Sequence, residues 1–384
     1  MFDKTDIRAA IEAGAISDEG AKRFEAFLKA RNDPERMLDP ENLRFLSNFN
    51  DVFLTIGIVV LMTGMGFLSA ISVTNLLGLN AMTEPNSIAE GRAMADAIRF
   101  AIVLSPIPLV AGAWLLAEYF CGKRRLLLPS MALSIVVVLG TAVIFAGLAS
   151  FFIDPVDTAS RFDREFNPWE LMFNISYVGC AAAALAAGAI FWRFRLPFSL
   201  FLLAGAIAML FYTAVAQLAG VGQVGSGLAA LAIGIATLVA AVAFDMKDPT
   251  RSTRNSDHAF WLHLAAAPQI ILGMRGLLLG SGFAPASMAE ATMMLFVLLA
   301  FAILSLALNR RALIVSGLVT FASTLFVLVN EFGGGGVNTV MLVALIIGGA
   351  IVLLGGGWRT ARRGLLKVVP QEGTMGRIFP PEPA

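Results

Sequence analysis

Apolar residues follow one another along this chain in ten runs separated by short polar connections. A helix crosses the hydrocarbon core of a bilayer with about 20 apolar residues, which is the approximate length of each run. Because no water satisfies backbone N–H and C=O groups there, only helices and closed barrels span that core. The pattern predicts an all-α fold, a polytopic transmembrane bundle of about ten helices. The predicted spans are Val52–Leu76, Ala97–Cys121, Leu126–Phe152, Leu171–Phe194, Pro197–Leu218, Gly225–Asp245, Phe260–Gly280, Ala291–Leu308, Ala312–Phe332 and Val337–Gly357.

Basic residues occupy every second connection between these spans. Lys123, Arg124 and Arg125 follow the second span, and Arg310 and Arg311 follow the eighth. The connections on the other side are acidic or nearly uncharged. Because short loops rich in Lys and Arg stay in the cytoplasm, the pattern predicts that both termini are cytoplasmic.

The composition agrees with a membrane protein and excludes several other classes. The chain is 58% hydrophobic and only 14% charged, whereas soluble domains have about 25% charged residues. Its net charge of +1 argues against a nucleic-acid partner, which would require a concentrated basic face. Cys121 and Cys180 lie in no motif and are expected to be free thiols. Two histidines are too few for a histidine-rich metal site, so neither a metal nor a cofactor is expected.

Signals of an enzyme are weak. The strings Gly225-Ser226-Gly227 and Gly280-Ser281-Gly282 resemble a serine nucleophile, but no histidine lies in an outer-half span to act as its base. Acidic residues between the third and fourth spans could hold a metal for a lipid-modifying reaction, but the arginines among them favour an ordinary solvated loop. The sequence therefore predicts that the protein is not an enzyme.

Polar segments flank the predicted bundle of residues 51–358. Residues 1–50 are predicted to form a cytoplasmic amphipathic helical module, with Ser17 as the N-cap of its second helix. This module is either a hairpin that docks a cytoplasmic protein or a lead-in that lies on the membrane surface or on the bundle. Residues 359–384 are predicted to form a basic, disordered cytoplasmic tail.

The start of the chain also carries a resemblance. The string Gly14-Ala15-Ile16-Ser17-Asp18-Glu19-Gly20-Ala21 follows an amphipathic helix and precedes a polar lead-in and many spans. It resembles the glycine–isoleucine–serine–x–glutamate turn in the cytoplasmic hairpin of bacterial predicted membrane proteins of domain-of-unknown-function family 2157. The resemblance implies a multi-pass protein of the bacterial inner (plasma) membrane and implies no activity.

Prolines inside two spans indicate kinks, because proline removes a helical hydrogen bond. Pro106 and Pro108 lie in the second span, and Pro268 lies in the seventh. These spans correspond if the bundle consists of two five-helix halves of opposite orientation. Interrupted helices at matching positions of inverted repeats are typical of a transporter's binding site, which makes these prolines candidate gates. Kinks that serve packing alone are the alternative.

A charged residue inside the seventh span is the main candidate for a substrate contact. Arg275 lies seven residues after Pro268, with Gln269 between them. A charge in the hydrocarbon costs at least ~2.5 kcal/mol, so the guanidinium should face protein or a water-filled cavity and find a partner. Glu331 and Glu290 are the candidate partners. Alternatively, Arg275 extends to the outer headgroups.

The ninth span carries a polar stripe that is the candidate wall of a substrate path. These side chains share one helical face, and they equally fit hydrogen bonding between helices. They are Ser316, Thr320, Ser323, Thr324, Asn330 and Glu331.

Two hypotheses for the function follow. The first is a transporter for a small, anionic solute, with Arg275 and Gln269 at the substrate and the ninth span along its path. The second is a non-transporting scaffold or envelope-stress regulator that acts through residues 1–50. The expected partners are the lipid bilayer, a small-molecule substrate and, in the second case, a cytoplasmic protein.

Overall fold

The computed structural model describes most of the chain between residues 49 and 379 and a few residues before it. The described residues are 13, 14, 17, 19–21, 23, 49–152, 168–218, 222–248, 251, 253–278, 287–333, 336–368 and 373–379. Within them every regular element is helical and no strand occurs, which confirms the all-α prediction. Arg44–Pro380 form one compact unit, and Met1–Leu43 belong with Pro381–Ala384 to another.

Twelve α-helices lie in the described residues. Short 3₁₀ and π turns, Leu79–Ala81 and Glu118–Lys123, follow α1 and α3. The helices are α1 Phe49–Leu76, α2 Ile88–Leu104, α3 Pro106–Ala117, α4 Leu127–Ser150, α5 Pro168–Phe194, α6 Phe198–Leu218, α7 Gly222–Lys247, α8 Arg254–Leu278, α9 Met288–Leu308, α10 Ala312–Gly333, α11 Val337–Leu366 and α12 Gly373–Ile378.

Eight segments of the described chain are long and apolar enough to cross a membrane. They lie in α1, in α2 and α3 together, and in α4, α5, α6, α7, α9 and α11. This result is compatible with an integral membrane protein. The helices α8 and α10 coincide with predicted spans but are not among the eight, so the count of ten crossings stays a prediction.

Two helices are the centres of packing. In the first half α4 contacts α1, α2, α3 and α5, and Leu133 and Val137 lie in its buried core. In the second half α8 contacts α6, α7, α9 and α10. By contrast, α1 and α11 expose many large apolar side chains, such as Phe67 and Leu353. Exposed apolar faces of this kind suit contact with lipid chains.

Glycines bring α7 and α8 unusually close together. A Cβ atom at Gly234 would lie 2.8 Å from the backbone nitrogen of Ile270, and one at Gly273 would overlap the backbone of Leu231. Because small residues at a helix interface let two backbones approach, these positions require glycine. Among the helices of the second half, α7 and α8 are thus the most closely packed pair.

Contacts across the bundle join connections that the charge pattern assigns to one side. Arg193, in the last turn of α5, donates from Nε and Nη2 to both carboxylate oxygens of Glu118 at 3.0 and 2.8 Å. Arg251 and Arg362 likewise reach the end of α9 from the α7–α8 connection and from α11. Neighbouring helices that alternate in direction bring these ends together.

The proline sites behave differently from each other. The second predicted span is divided at Ser105, and Pro106 occupies the first turn of α3. The Ser105 carbonyl at this break accepts a hydrogen bond of 2.7 Å from Ser69 of α1. Around Pro268, α8 continues without interruption. Of the two predicted kinks, only the first coincides with a boundary between helices.

Residues 359–368 and 373–379 of the predicted tail are among those that the structure describes. The last long helix continues to Leu366, and the side chain of Arg362 is buried within it. After α12, Ile378 and Phe379 pack against the core around Leu313. These apolar contacts and the buried arginine join the described parts of the segment to the bundle, and the prediction for residues 359–384 as a whole stays a prediction.

Few residues of the N-terminal module are described. Gly14 adopts a left-handed conformation with φ of 68°. The Ser17 hydroxyl accepts the backbone N–H of Gly20 at 3.1 Å, which is the contact expected of an N-cap. The remainder of the predicted 1–50 module lies outside the described residues, as does the acidic stretch of the loop between α4 and α5.

Candidate functional site

The most polar long helix, α8, is also the one most enclosed by protein. Its buried positions run from Ser256 to Arg275 and include three consecutive alanines, Ala265–Ala267. Because neighbouring helices cover it, its polar side chains meet protein groups rather than lipid. Enclosure by protein allows α8 to carry polar residues, and these residues keep it from meeting the apolar criterion of the eight candidate spans.

An ion pair lies where α7 ends and α10 begins. Arg310, only 1% exposed, donates from Nε to Asp245 Oδ2 at 3.1 Å and from Nη2 to Asp245 Oδ1. Nη2 also lies 3.2 Å from the Ser256 hydroxyl of α8. The planar guanidinium suits this two-pronged contact with a carboxylate. The ion pair, with the Ser256 contact, therefore links the end of α7 to the starts of α8 and α10.

His263 lies beside this pair, about two and a half turns from the start of α8. Its side chain is 0% exposed, and its Nδ1 lies 2.8 Å from the Ala259 carbonyl. Since a carbonyl only accepts, Nδ1 carries the hydrogen. Nε2 points to Asp245 Oδ2 at 3.7 Å and has no hydrogen-bond partner in the described structure. We call Asp245, Ser256, His263 and Arg310 the Asp245 cluster.

The C-terminus of α9 supports the cluster from the other side. Asn309 adopts the left-handed conformation, and Arg310 N–H donates to the Ser305 carbonyl at 3.0 Å, as in a Schellman motif. Arg251 donates to the carbonyls of Leu308 and Asn309 at 3.1 and 2.8 Å. These contacts satisfy terminal carbonyl groups and place positive charge at the negative end of the helix dipole.

The last long helix contributes two further contacts there. Arg362 Nε donates to the Leu306 carbonyl at 3.1 Å, and Trp358 Nε1 donates to Asn309 Oδ1 at 2.9 Å. The turn between α9 and α10 is thus held by hydrogen bonds from α11 and from the α7–α8 connection.

Gln269, a predicted substrate contact, lies in the middle of α8. Its Oε1 accepts a hydrogen bond of 3.0 Å from the Thr237 hydroxyl of α7. Its Nε2 donates to the Ala204 carbonyl of α6 at 3.4 Å. The side chain therefore connects three helices, and in this arrangement both its amide oxygen and its amide nitrogen are hydrogen-bonded to protein groups.

Arg275, the other predicted contact, lies near the opposite end of α8 from the Asp245 cluster. It is 5% exposed, so its side chain lies inside the protein and does not extend outwards. Its Nε is buried without a hydrogen-bond partner, and it forms no ion pair with any described residue. The charge of Glu290, in the first turn of α9, acts on it. Of the two predicted partners, Glu290 is thus the nearby one, while Glu331 is exposed.

The polar stripe of α10 is not uniformly buried. Thr324 is fully buried and donates its hydroxyl hydrogen to the Thr320 carbonyl at 2.8 Å. Asn330 and Glu331 are exposed at the end of the helix. The threonines lie on a helix that contacts α8, whereas the last two residues extend beyond this contact.

The candidate gates lie in different groups of helices. Pro106 and Pro108 belong to α3, which packs against α1 and α4. Pro268 belongs to α8, which packs in the second half. An apolar groove runs between α1, α3 and α4, lined among others by Met62, Phe67 and Ile135. It contains none of the predicted path residues.

The sequence interpretation missed the Asp245 cluster. The charge pattern alone makes Asp245 and Arg310 charged ends of spans, and the low number of histidines argues only against a metal site. A usable signal was present, because one acidic and one basic residue end alternate spans and His263 lies one turn inside the span between them. Opposite charges at one membrane depth tend to pair.

Comparisons with known proteins add no assignment to this geometry. No protein-family model, no curated protein and no solved structure matches the chain. The resemblance of the N-terminal segment to family 2157 therefore stays a prediction.

Proposed function

We propose that the protein is a carrier of the bacterial inner membrane for a small anionic solute, and that Arg275 of α8 binds that solute. The observation that carries this proposal is the burial of Arg275 with an unpartnered Nε. A buried charge is costly unless it is paired and hydrogen-bonded. An anion that reaches this guanidinium would supply both the opposite charge and a hydrogen-bond acceptor.

The rest of α8 supports the proposal. Pro268 removes a hydrogen bond seven residues before Arg275, and Gln269 lies about 9 Å from Arg275 along the helix axis at 1.5 Å per residue. A movement that released Gln269 from Thr237 would add an amide to the path of the solute. The predicted five-plus-five inverted arrangement, with Pro106 and Pro268 as gates, belongs to this proposal.

The proposal is tested by solute uptake into vesicles. The purified full-length protein is reconstituted into liposomes, and the flux of acetate, lactate, succinate, phosphate and sulfate is followed by stopped-flow light scattering. We expect flux of at least one of these anions above that of protein-free vesicles. Arg275→Gln should reduce the anion flux at least ~10-fold, because the ion pair between the guanidinium and the anion is lost.

The matched control is Arg92→Gln, which removes an exposed arginine from α2 with the same change of charge. It should transport like the original protein, and both variants should insert to the same extent. Transport by Arg275→Gln equal to that of Arg92→Gln would contradict the proposal, as would wild-type vesicles that move none of the anions.

A further inference from the structure

The Asp245 cluster contains a buried base that points at a carboxylate. With its hydrogen on Nδ1, the neutral imidazole of His263 directs the lone pair of Nε2 towards Asp245 Oδ2, 3.7 Å away. Two electron pairs that face each other across this distance repel. A single proton on Nε2 would turn the repulsion into a charge-assisted contact. Both groups are held from other sides, by the Ala259 carbonyl and by Arg310.

The charged groups around His263 come from three elements. Asp245 faces it from the end of α7, Arg310 from the start of α10, and Arg251 from the connection between α7 and α8. No residue of α6 carries an ionised side chain, and the acidic residues of α9 and α10, Glu290 and Glu331, lie at the other ends of those helices. His258, on α8 itself, packs between Phe191 and Phe244.

We propose that His263 and Asp245 form a proton-binding site, in which a proton on His263 Nε2 competes with Arg310 for the Asp245 carboxylate. In the described arrangement Arg310 holds both carboxylate oxygens. The proton-free state of the proposed site pairs this arrangement with a neutral His263. Uptake of a proton from water forms one N–H bond and breaks no covalent bond in the protein. It changes the net charge of the three side chains from zero to +1.

This added charge has a structural consequence. One buried carboxylate cannot fully compensate two cations, so protonation weakens the pair of Asp245 with Arg310. Arg310 belongs to the turn between α9 and α10, which Trp358 contacts through Asn309. Binding of the proton therefore loosens the junction of α7, α8 and α10. Asp245 keeps 13% of its side chain exposed while His263 has none, so in this proposal the proton reaches the ring by way of the carboxylate.

The geometry suits a proton better than a metal ion. Arg310 already occupies the carboxylate and would repel a cation. No three His, Cys, Asp or Glu side chains in the described part of the chain come close enough together to hold one.

The two histidines make a direct test practical. The full-length protein is labelled with ¹⁵N-histidine, reconstituted into lipid and studied by solid-state NMR from about pH 8 to about pH 4. Each imidazole gives one pair of ring-nitrogen signals, and His258→Gln leaves only those of His263. We expect a neutral His263 with hydrogen on Nδ1 at high pH and a doubly protonated ring at low pH. A His263 with hydrogen on Nε2 at high pH, or one still neutral at about pH 4, would overturn the proposal.

Variants test the competition. Asp245→Asn should lower the proton affinity of His263 at least ~10-fold, since it removes the opposite charge, and Arg310→Gln should raise it by a similar factor. Unchanged affinity in both variants would refute the competition. If neither variant folds, the wild-type tautomer and titration decide the outcome.

A second readout reports on the turn. Trp358 emission should change with the same midpoint as the protonation of His263. This change should persist in His258→Gln and be absent from both His263→Gln and Trp358→Phe. The same pH response in His263→Gln would contradict the coupling. The proton site does not require the anion carrier, so vesicle transport and histidine titration succeed or fail separately.

Discussion

Arg310 and Asp245, 65 positions apart in the chain, form a two-pronged ion pair that joins the start of α10 to the end of α7. Arg310 lies almost wholly inside the protein, and the Ser256 hydroxyl adds a contact from α8. The same carboxylate is the neighbour of His263 Nε2. The ion pair thus joins helices of the second half and also contacts the fully buried imidazole of His263.

Removal of either partner of this pair should strongly destabilise the protein. Arg310→Gln leaves the carboxylate without its counter-charge, and Asp245→Asn leaves a buried guanidinium. Breaking a buried pair from one side costs about 3–5 kcal/mol. Thermal unfolding of the purified variants in detergent measures the loss. The double variant should lose less than the sum of the single variants, and additive losses would show that the two side chains do not interact.

The close contact of α7 and α8 gives a second prediction. Gly273→Ala places a methyl group against the backbone of Leu231, and such overpacking costs about 1–3 kcal/mol. Gly188→Ala in α5 meets no atom within 4 Å, so it should be neutral or stabilise the protein by up to about 1 kcal/mol. Thermal unfolding compares the two. Equal stability of both variants would contradict the packing of this interface.

The helices could be predicted from the sequence because a helix that crosses a bilayer needs about 20 consecutive apolar residues. Nine of the ten predicted spans each coincide with one helix, while the second covers the end of α2 and all of α3. The N-cap contact of Ser17 follows from its residue type. The break at Ser105 follows from Pro106, since proline cannot donate a backbone hydrogen bond.

The pairing of polar groups was not predictable in the same way. Charge at a span end indicates topology, but whether a side chain points to water or to protein depends on which helices are neighbours. Arg310 and Arg311 are identical in type and adjacent, yet the first is buried against Asp245 and the second lies over the Trp358 ring. Arg362 lies at the start of the predicted basic tail, and its acceptor, the Leu306 carbonyl, cannot be identified from the sequence.

The hydrogen bond of Arg362 gives a third prediction. Arg362→Ala removes a charged donor from the end of α9, and hydrogen bonds of charged groups contribute about 1.5–3 kcal/mol. Lys367→Ala, which removes an exposed cation five residues later, should change stability by less than about 0.5 kcal/mol. Chemical denaturation in detergent distinguishes them, and a neutral Arg362→Ala would count against an ordered α11 end.

The two functional hypotheses predict opposite effects of two variants. If the protein is a carrier, Arg275→Ala inserts normally and abolishes uptake, while deletion of residues 1–38 leaves uptake in place. If it is a scaffold that acts through its N-terminal module, the deletion removes the cellular phenotype and Arg275→Ala does not. Vesicle uptake and growth under envelope stress, measured on the same two variants, separate these outcomes.

The placement of α8 across the membrane is the claim on which the carrier depends, and cysteine accessibility measures it most directly. Arg254→Cys and Ala289→Cys are made separately in a chain without Cys121 and Cys180. The first puts a thiol at the exposed first residue of α8, and the second puts one at an exposed position in the first turn of α9. In intact cells an impermeant maleimide should label position 289, and it should label position 254 only after the membrane is opened. Labelling of both positions from the same side would contradict the account.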